Sequence, residues 1–266
     1  MQFYLPSAGL NRYKSGSQRA RVCTEPWGAE NLYCPACDSP HIEPLPPNTP
    51  ALDFNCPSCE ALFQLKSKSG SFGRKVQDGA FGAMRRTILM DRTPNLFLLR
   101  YSLPELMVRD VLLIPRFAFS LSVLEERKPL SANAIRARWV GCNFLLDRIP
   151  SDARIAVVVE GKPVAVSSVR RAYDRLRSLE KLNVEKRGWT LDVLRAVRSL
   201  KKTNFTLDGV YAHSEALAKL HPRNAHVRDK IRQQLQVLRD LGFVEFLGRG
   251  HYRIRWPEAS TEPRPD

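Results

Sequence analysis

Cys34-Pro-Ala-Cys37 and Cys56-Pro-Ser-Cys59 enclose residues 38–55, and the chain runs on as Ala61-Leu-Phe-Gln-Leu-Lys66. Two Cys-x-x-Cys knuckles at this separation suit four thiolates closing a tetrahedral zinc site. Ala51-Leu-Asp-Phe-Asn55 and Ala61–Lys66 both have strand character and are joined through the second knuckle, so a hairpin with zinc at its tip is expected. Alternation with period two puts Gln64 and Lys66 on one face and Leu65 on the other, while Asp53 enters from the paired strand. A short acid, an amide oxygen and an ammonium then converge. With the Leu65 backbone carbonyl, Asp53 and Gln64 offer the oxygen ligands that Mg²⁺ requires. Lys66 would offset charge on a phosphorane. The competing reading is a zinc ribbon whose solvent face happens to carry these polar residues.

The chain has 266 residues, with 42 Lys and Arg against 27 Asp and Glu, a formal net charge of +15. That balance favours a polyanionic partner, with nucleic acid ahead of a membrane surface. The apolar runs, such as Val111-Leu-Leu-Ile114 and Ile155-Ala-Val-Val-Val159, are only strand-length, which argues against a membrane partner. Met1-Gln-Phe-Tyr-Leu-Pro-Ser7 lacks the pattern of a signal peptide, so a cytoplasmic protein is expected. In a reducing compartment paired knuckles suit metal better than disulfides. The remaining cysteines, Cys23 and Cys142, are expected as small buried residues.

Ser15 to about Glu30 suggests a short capped helix broken at Pro26. Pro44, Pro46, Pro47 and Pro50 suggest an extended loop on the ribbon. Asp78 to Arg92 has helical apolar spacing at Ala80, Ala83, Met84, Ile88 and Leu89. Leu96–Ser102, Asp110–Pro115 and Ile155–Glu160 have the character of buried strands. Strands alternating with helices predict a mixed α/β core over residues 1–183.

Beyond a break near Leu182 to Gly188, the order of elements suggests a winged helix over residues 184–256. Its helices are expected at Thr190–Lys201, Thr206–His221 and Asn224–Leu241. They are followed by a hairpin from Phe243–Leu247 and His251–Arg255 around Gly248-Arg-Gly250. Residues 185–256 hold 15 Lys and Arg against 7 Asp and Glu, a net of +8 (15 − 7). On the third helix Val227, Ile231, Leu235 and Leu238 form the inward stripe. Arg228, Arg232, Gln233 and Gln236 then face outward, with Arg223, Asn224 and His226 at the end that normally enters a major groove. His213, His221, His226 and His251 are expected as phosphate contacts or surface residues. The tail, residues 257–266, has a disordered composition.

Seven strings carry a resemblance over nearly the whole chain: Tyr13-Lys-Ser-Gly-Ser-Gln-Arg-Ala-Arg21, Asp53-Phe-Asn-Cys56, Gln64-Leu-Lys-Ser-Lys-Ser-Gly70, Arg127-Lys-Pro-Leu130, Trp139-Val-Gly-Cys-Asn143, Arg187-Gly-Trp-Thr190 and Lys230-Ile-Arg-Gln-Gln-Leu-Gln-Val-Leu-Arg-Asp240. The chain resembles the methyl-directed type II restriction endonucleases, DpnI and its relatives. The resemblance implies an α/β PD-(D/E)xK nuclease core with an inserted zinc-binding hairpin, followed by a small winged-helix (α+β) domain. It further implies Mg²⁺-driven double-strand cleavage of GATC carrying N6-methyladenine, by a bacterial or archaeal protein expected to be monomeric. The motif's acid falls on Asp53, its lysine on Lys66, and its second acid, usually Glu, on Gln64, a departure. Removing that charge favours the rival reading of a non-catalytic DNA-binding regulator. Trp139 is the expected methyl reader in the core, because an indole face suits N-methyl groups, and Arg249 the expected DNA contact on the wing.

Overall fold

The apolar run Leu96-Phe-Leu-Leu99 forms the middle of a seven-stranded sheet in the computed structural model, which describes residues 1–7, 12–47 and 49–255. In spatial order the strands are β1 (Glu43–Pro44), β2 (Phe54–Asn55), β3 (Leu62–Lys68), β5 (Asn95–Ser102), β6 (Met107–Ile114), β9 (Ile155–Val159) and β10 (Lys162–Pro163). β5 sits between β3 and β6 with Leu96, Phe97, Leu98 and Leu99 all buried. It has no polar face because both of its faces are covered. β3 and β5 run parallel, with Lys66 opposite Leu98, and the other neighbouring pairs are antiparallel. A parallel pair needs a crossover. Here the crossover carries β4 (Lys75–Ala80), which joins β8 (Gly141–Leu145) and β7 (Leu124–Glu126) in a second sheet, and then α2 (Phe81–Leu89).

The helix α1 (Gly16–Asn31) packs on β3. A Cβ at Gly28 would lie 2.9 Å from Phe54 Cζ and 3.4 Å from Leu65 Cδ2, so glycine permits this close approach. Pro26 does not end the helix. Trp27, two turns of buried neighbours at Ala20, Cys23 and Thr24, and the Trp27 indole bond to the Gln2 carbonyl at 2.7 Å hold the last turns in place despite the missing N–H. Pro44 belongs to β1 rather than to a loop, at the sheet edge where the absence of a donor is tolerated. The helix expected from Asp78 starts only at Phe81. Asp78 and Ala80 pair with Cys142 and Gly141 of β8 across a bulge, and this ladder overrides the helical spacing of the alanines. Cys23 and Cys142 are buried, and burial pushes the Cys142 thiol up to about 12.

From α3 (Val166–Arg177) the chain passes through a 3₁₀ turn (Ser178–Lys181) straight into α4 (Val184–Ser199). The first winged-helix helix thus begins at Val184, not Thr190, because the Asn183 side chain accepts the Lys186 N–H as a cap. α4 is buried nearly all round. Arg187 pairs with Asp91 at 2.5 Å, Arg198 with Asp152, and Ser122 Oγ donates to Asp192 at 2.9 Å. The helix expected over Thr206–His221 is two, α5 (Leu207–Tyr211) and α6 (Ser214–Leu220), preceded by β11 (Asn204–Thr206). The third, α7 (Val227–Asp240), starts after Arg223, Asn224 and His226, which occupy the turn before it. The wing is β12 (Val244–Gly248) and β13 (His251–Ile254), in a sheet of order β11-β13-β12. Gly248, Arg249 and Gly250 all turn with positive φ, at 96°, 47° and 77°. Among the described residues no helix is long and apolar enough to cross a membrane. The tail, residues 257–266, lies outside the described residues, as does Trp256.

Candidate metal centres and nucleic-acid surface

Four thiols meet where the two knuckles face each other. The sulfurs of Cys34, Cys37, Cys56 and Cys59 all lie within 4.8 Å of one another, a cluster that could hold one zinc ion. Ser39 N–H points at Cys37 Sγ (3.5 Å) and Ser58 N–H at Cys56 Sγ (3.4 Å), the backbone donors that favour thiolate. Burial pushes the Cys34 thiol up. At Cys56 the same burial is outweighed by the backbone N–H groups of Cys59 and Ser58 and by the neighbouring thiols, which draw it down to about 7. Two arginines of α3 brace the first knuckle. Arg170 donates to the Cys34 and Ser39 carbonyls (3.2 and 2.9 Å), and Arg177 to that of Ala36 (2.5 Å).

The hairpin leaving this cluster places the acid centre. Asp53 stands one residue before β2, its N–H bonded to the Phe63 carbonyl, and its Oδ2 accepts the Leu65 N–H at 2.7 Å. Burial holds the Asp53 carboxyl above the usual carboxylate range, against the Leu65 N–H and Lys66 that favour its charge. Glu25 on α1, ion-paired to Arg21 at 2.6 Å, raises it further. Along β3 the alternation holds: Leu65 is buried toward α1, and Gln64 and Lys66 share the opposite face.

Their meeting point is Asp78, in a stretch whose apolar spacing predicts a helix but which forms strand β4. Asp78 Oδ1 receives Lys66 Nζ at 2.7 Å and Gln64 Nε2 at 3.2 Å, while Asp78 Oδ2 is buried without a hydrogen-bond partner among the described residues. The Asp78 side chain is 2% exposed and that of Lys66 28%. The local signal was Gly79, a breaker directly after Asp78, which argued for ending a strand rather than opening a helix.

Trp139 is half-buried, not a core residue. It lies on the loop before β8, with Arg136 5.1 Å over its ring and its edge so close to Gly141 that a Cβ there would lie 2.7 Å away. This indole is three residues before Cys142, which pairs with Asp78.

On the small domain Arg228, Arg232, Gln233 and Gln236 are exposed as expected, with Arg228 stacked 5.3 Å over Tyr211 and Arg232 ion-paired to Asp229. Arg223 and Asn224 line a cleft of about 880 Å³ against the core, beside Trp189 and His221. His226 donates its N–H to Asn224 Oδ1 at 2.8 Å. Arg249 is exposed at the wing tip. His221 is the exception among the histidines. It stacks on Trp189 with centroids 3.7 Å apart and bonds the buried Asp192 at 2.9 Å, so it is built into the junction and not free for phosphate.

A mixed α/β core with a four-cysteine hairpin, joined to a winged helix-turn-helix, defines a class of DNA-acting proteins. Residues 1–182 match the Dam-replacing family, DpnI, and residues 185–254 match the Dam-replacing HTH domain. The first match spans more than half of the chain, and the chain belongs to this family. Membership supports a methylation-dependent restriction endonuclease that binds DNA.

Proposed function

We propose that this chain is a Mg²⁺-dependent site-specific endodeoxyribonuclease, a type II restriction enzyme that makes double-strand breaks at GATC carrying N6-methyladenine. The observations that support the reading are that Asp53 accepts the Leu65 N–H, between Gln64 and Lys66 on the neighbouring strand of one hairpin, and that those two side chains meet at Asp78 Oδ1. Fit to a divalent ion is supported by the oxygen-rich donor set and by Asp78 Oδ2, a buried carboxylate oxygen without a hydrogen-bond partner among the described residues. Asp53, the Gln64 amide oxygen and the Leu65 backbone carbonyl would hold the ion. When bound, Mg²⁺ polarises the phosphodiester and acidifies water. Asp53, held above the usual carboxylate range by burial, gains most from a cation beside it. Lys66 stands at the edge of the centre, where it would orient the attacking water and offset charge on the phosphorane oxygens. Cys34, Cys37, Cys56 and Cys59 would hold structural zinc, fixing the hairpin from which Asp53 and β3 project.

Methyl reading needs more than one contact. A buried methyl is worth roughly 0.8 kcal/mol, so two give about tenfold discrimination or slightly more. Trp139 on the nuclease domain would add to readers on the small domain, where Arg223, Asn224, His226, Arg228, Arg232 and Gln233 present donors for base edges and phosphate, and Arg249 reaches from the wing. The rival reading, a DNA-binding regulator without catalysis, draws on the amide at position 64. Purified protein with Mg²⁺ is incubated with plasmid from a GATC-methylating host and from a non-methylating one. Discrete fragments from the first alone are expected; retarded but uncut DNA from both would favour the regulator.

A further inference from the structure

We infer that Asp78 is a positioning residue of the cleavage centre and carries the negative charge that an acid at position 64 would otherwise bring. The inference rests on the nuclease reading above. One oxygen of Asp78 takes both the Lys66 ammonium (2.7 Å) and the Gln64 amide nitrogen (3.2 Å). The bulge in β4 between Asp78 and Ala80 aims the side chain there, as bulges re-aim residues beside sites.

This arrangement makes sense of an amide at position 64. With its nitrogen committed to Asp78, the Gln64 side chain turns its oxygen away from that carboxylate, free for another partner. A glutamate at 64 would have no hydrogen to offer, and two carboxylates would meet at the same contact. Gln64 and Asp78 are therefore a matched donor and acceptor, with the charge placed on β4 instead of β3. The charge is kept at a cost. The Asp78 side chain is 2% exposed and its second oxygen is buried without a hydrogen-bond partner among the described residues, a state that folding alone would not favour. Lys66 offsets part of that cost, and a divalent ion beside Gln64 would offset more, because Coulomb interactions persist in a dry site. The sequence pattern names Asp53, Gln64 and Lys66 and does not connect this fourth group to them.

The test is Mn²⁺ binding by the full zinc-loaded chain, followed by the electron paramagnetic resonance of free Mn²⁺, so that no turnover is needed. Wild type should bind Mn²⁺ at a site lost in Asp53→Ala. Asp78→Asn should weaken that binding about tenfold or more, and the charge exchange Gln64→Glu with Asp78→Asn, which reverses the hydrogen bond between positions 64 and 78 and leaves Lys66 a carboxylate partner at 64, should restore it to within about threefold. Unchanged affinity in Asp78→Asn, or no recovery in the exchange, would overturn the inference while leaving the nuclease reading intact. Absence of an Asp53-dependent site in wild type would overturn both. If Asp78→Asn does not fold, the near-isosteric exchange decides alone: wild-type affinity supports the role and weak binding overturns it.

Discussion

The cysteine cluster and the acid centre share one hairpin and are assembled in opposite ways. All four thiols come from two knuckles of the same ribbon, and their sulfurs already lie within 4.8 Å of one another. The acid centre draws Asp53 from the end of one strand, Gln64 and Lys66 from β3, and Asp78 from β4 in a different sheet. Soft thiolates brought together locally make a site that would stabilise the fold on binding zinc, since structural zinc binding is folding free energy. Oxygen donors collected from separate elements would make a site held at the fold's expense: half-buried Asp53 is shifted upward, and Asp78 Oδ2 is buried without a hydrogen-bond partner among the described residues. The first kind of site is a foundation, and the second rests on it.

The comparison would break first at the knuckles. Cys34→Ser should cost the chain its zinc and its soluble fold, because about 10 kcal/mol or more of metal binding is tied to such sites. Elemental analysis should find about one zinc per wild-type chain, and zinc content and solubility unchanged in the variant would remove the ribbon from the account. At the acid centre the same severity should appear only in rate. Lys66→Ala should lower cleavage by roughly 10²- to 10³-fold while DNA affinity holds. Single-turnover cleavage beside an anisotropy titration separates the two, and equal losses in both would mean that Lys66 serves binding.

A third change leaves both centres intact. Arg228→Ala on the exposed face of α7 should weaken binding to the cognate methylated duplex by about 1 to 3 kcal/mol and to random DNA far less. A salt series would show whether the residue acts through phosphate instead, because a lost phosphate contact lowers the salt slope for every sequence.

The smallest effect concerns the cost of holding Asp53. A carboxyl whose folded pKa is raised binds its proton more tightly in the folded state. Folding therefore loses stability as pH rises from the ordinary carboxylate range through the raised value, and the penalty persists above it. Asp53→Asn removes that penalty. Without added Mg²⁺ its Tm at pH 7 should rise by roughly a degree or two, solvent screening of this partly exposed group keeping the gain near 0.5 kcal/mol. The difference should vanish below the usual carboxylate range. A fall in Tm at pH 7 would show that the Leu65 N–H contact outweighs burial.

What the sequence by itself determined follows from local chemistry and periodicity. Knuckle spacing marked the four thiols, and period-two alternation put Gln64 and Lys66 on one face. The apolar stripe of α7 left Arg228, Arg232 and Gln233 outward, and Gly248 and Gly250 marked the wing. Each of these signals is written within a few residues, on the length scale over which helix and strand geometry act. The tertiary structure decided the rest. Pro26 stays inside α1 because Trp27 is buried beyond it. His221 is fixed by Trp189 and Asp192, far from it in the chain, and α4 begins early because Asn183 caps it against the core. Asp78 reaches Lys66 and Gln64 because β4 leaves the main sheet and pairs with β8, more than sixty positions later (142 − 78 = 64). Periodicity reports which face of an element is buried and is silent about which polar group from another element will meet it there. That choice belongs to long-range strand pairing, where the ladder to β8 outweighs the helical spacing of Ala80, Ala83 and Met84.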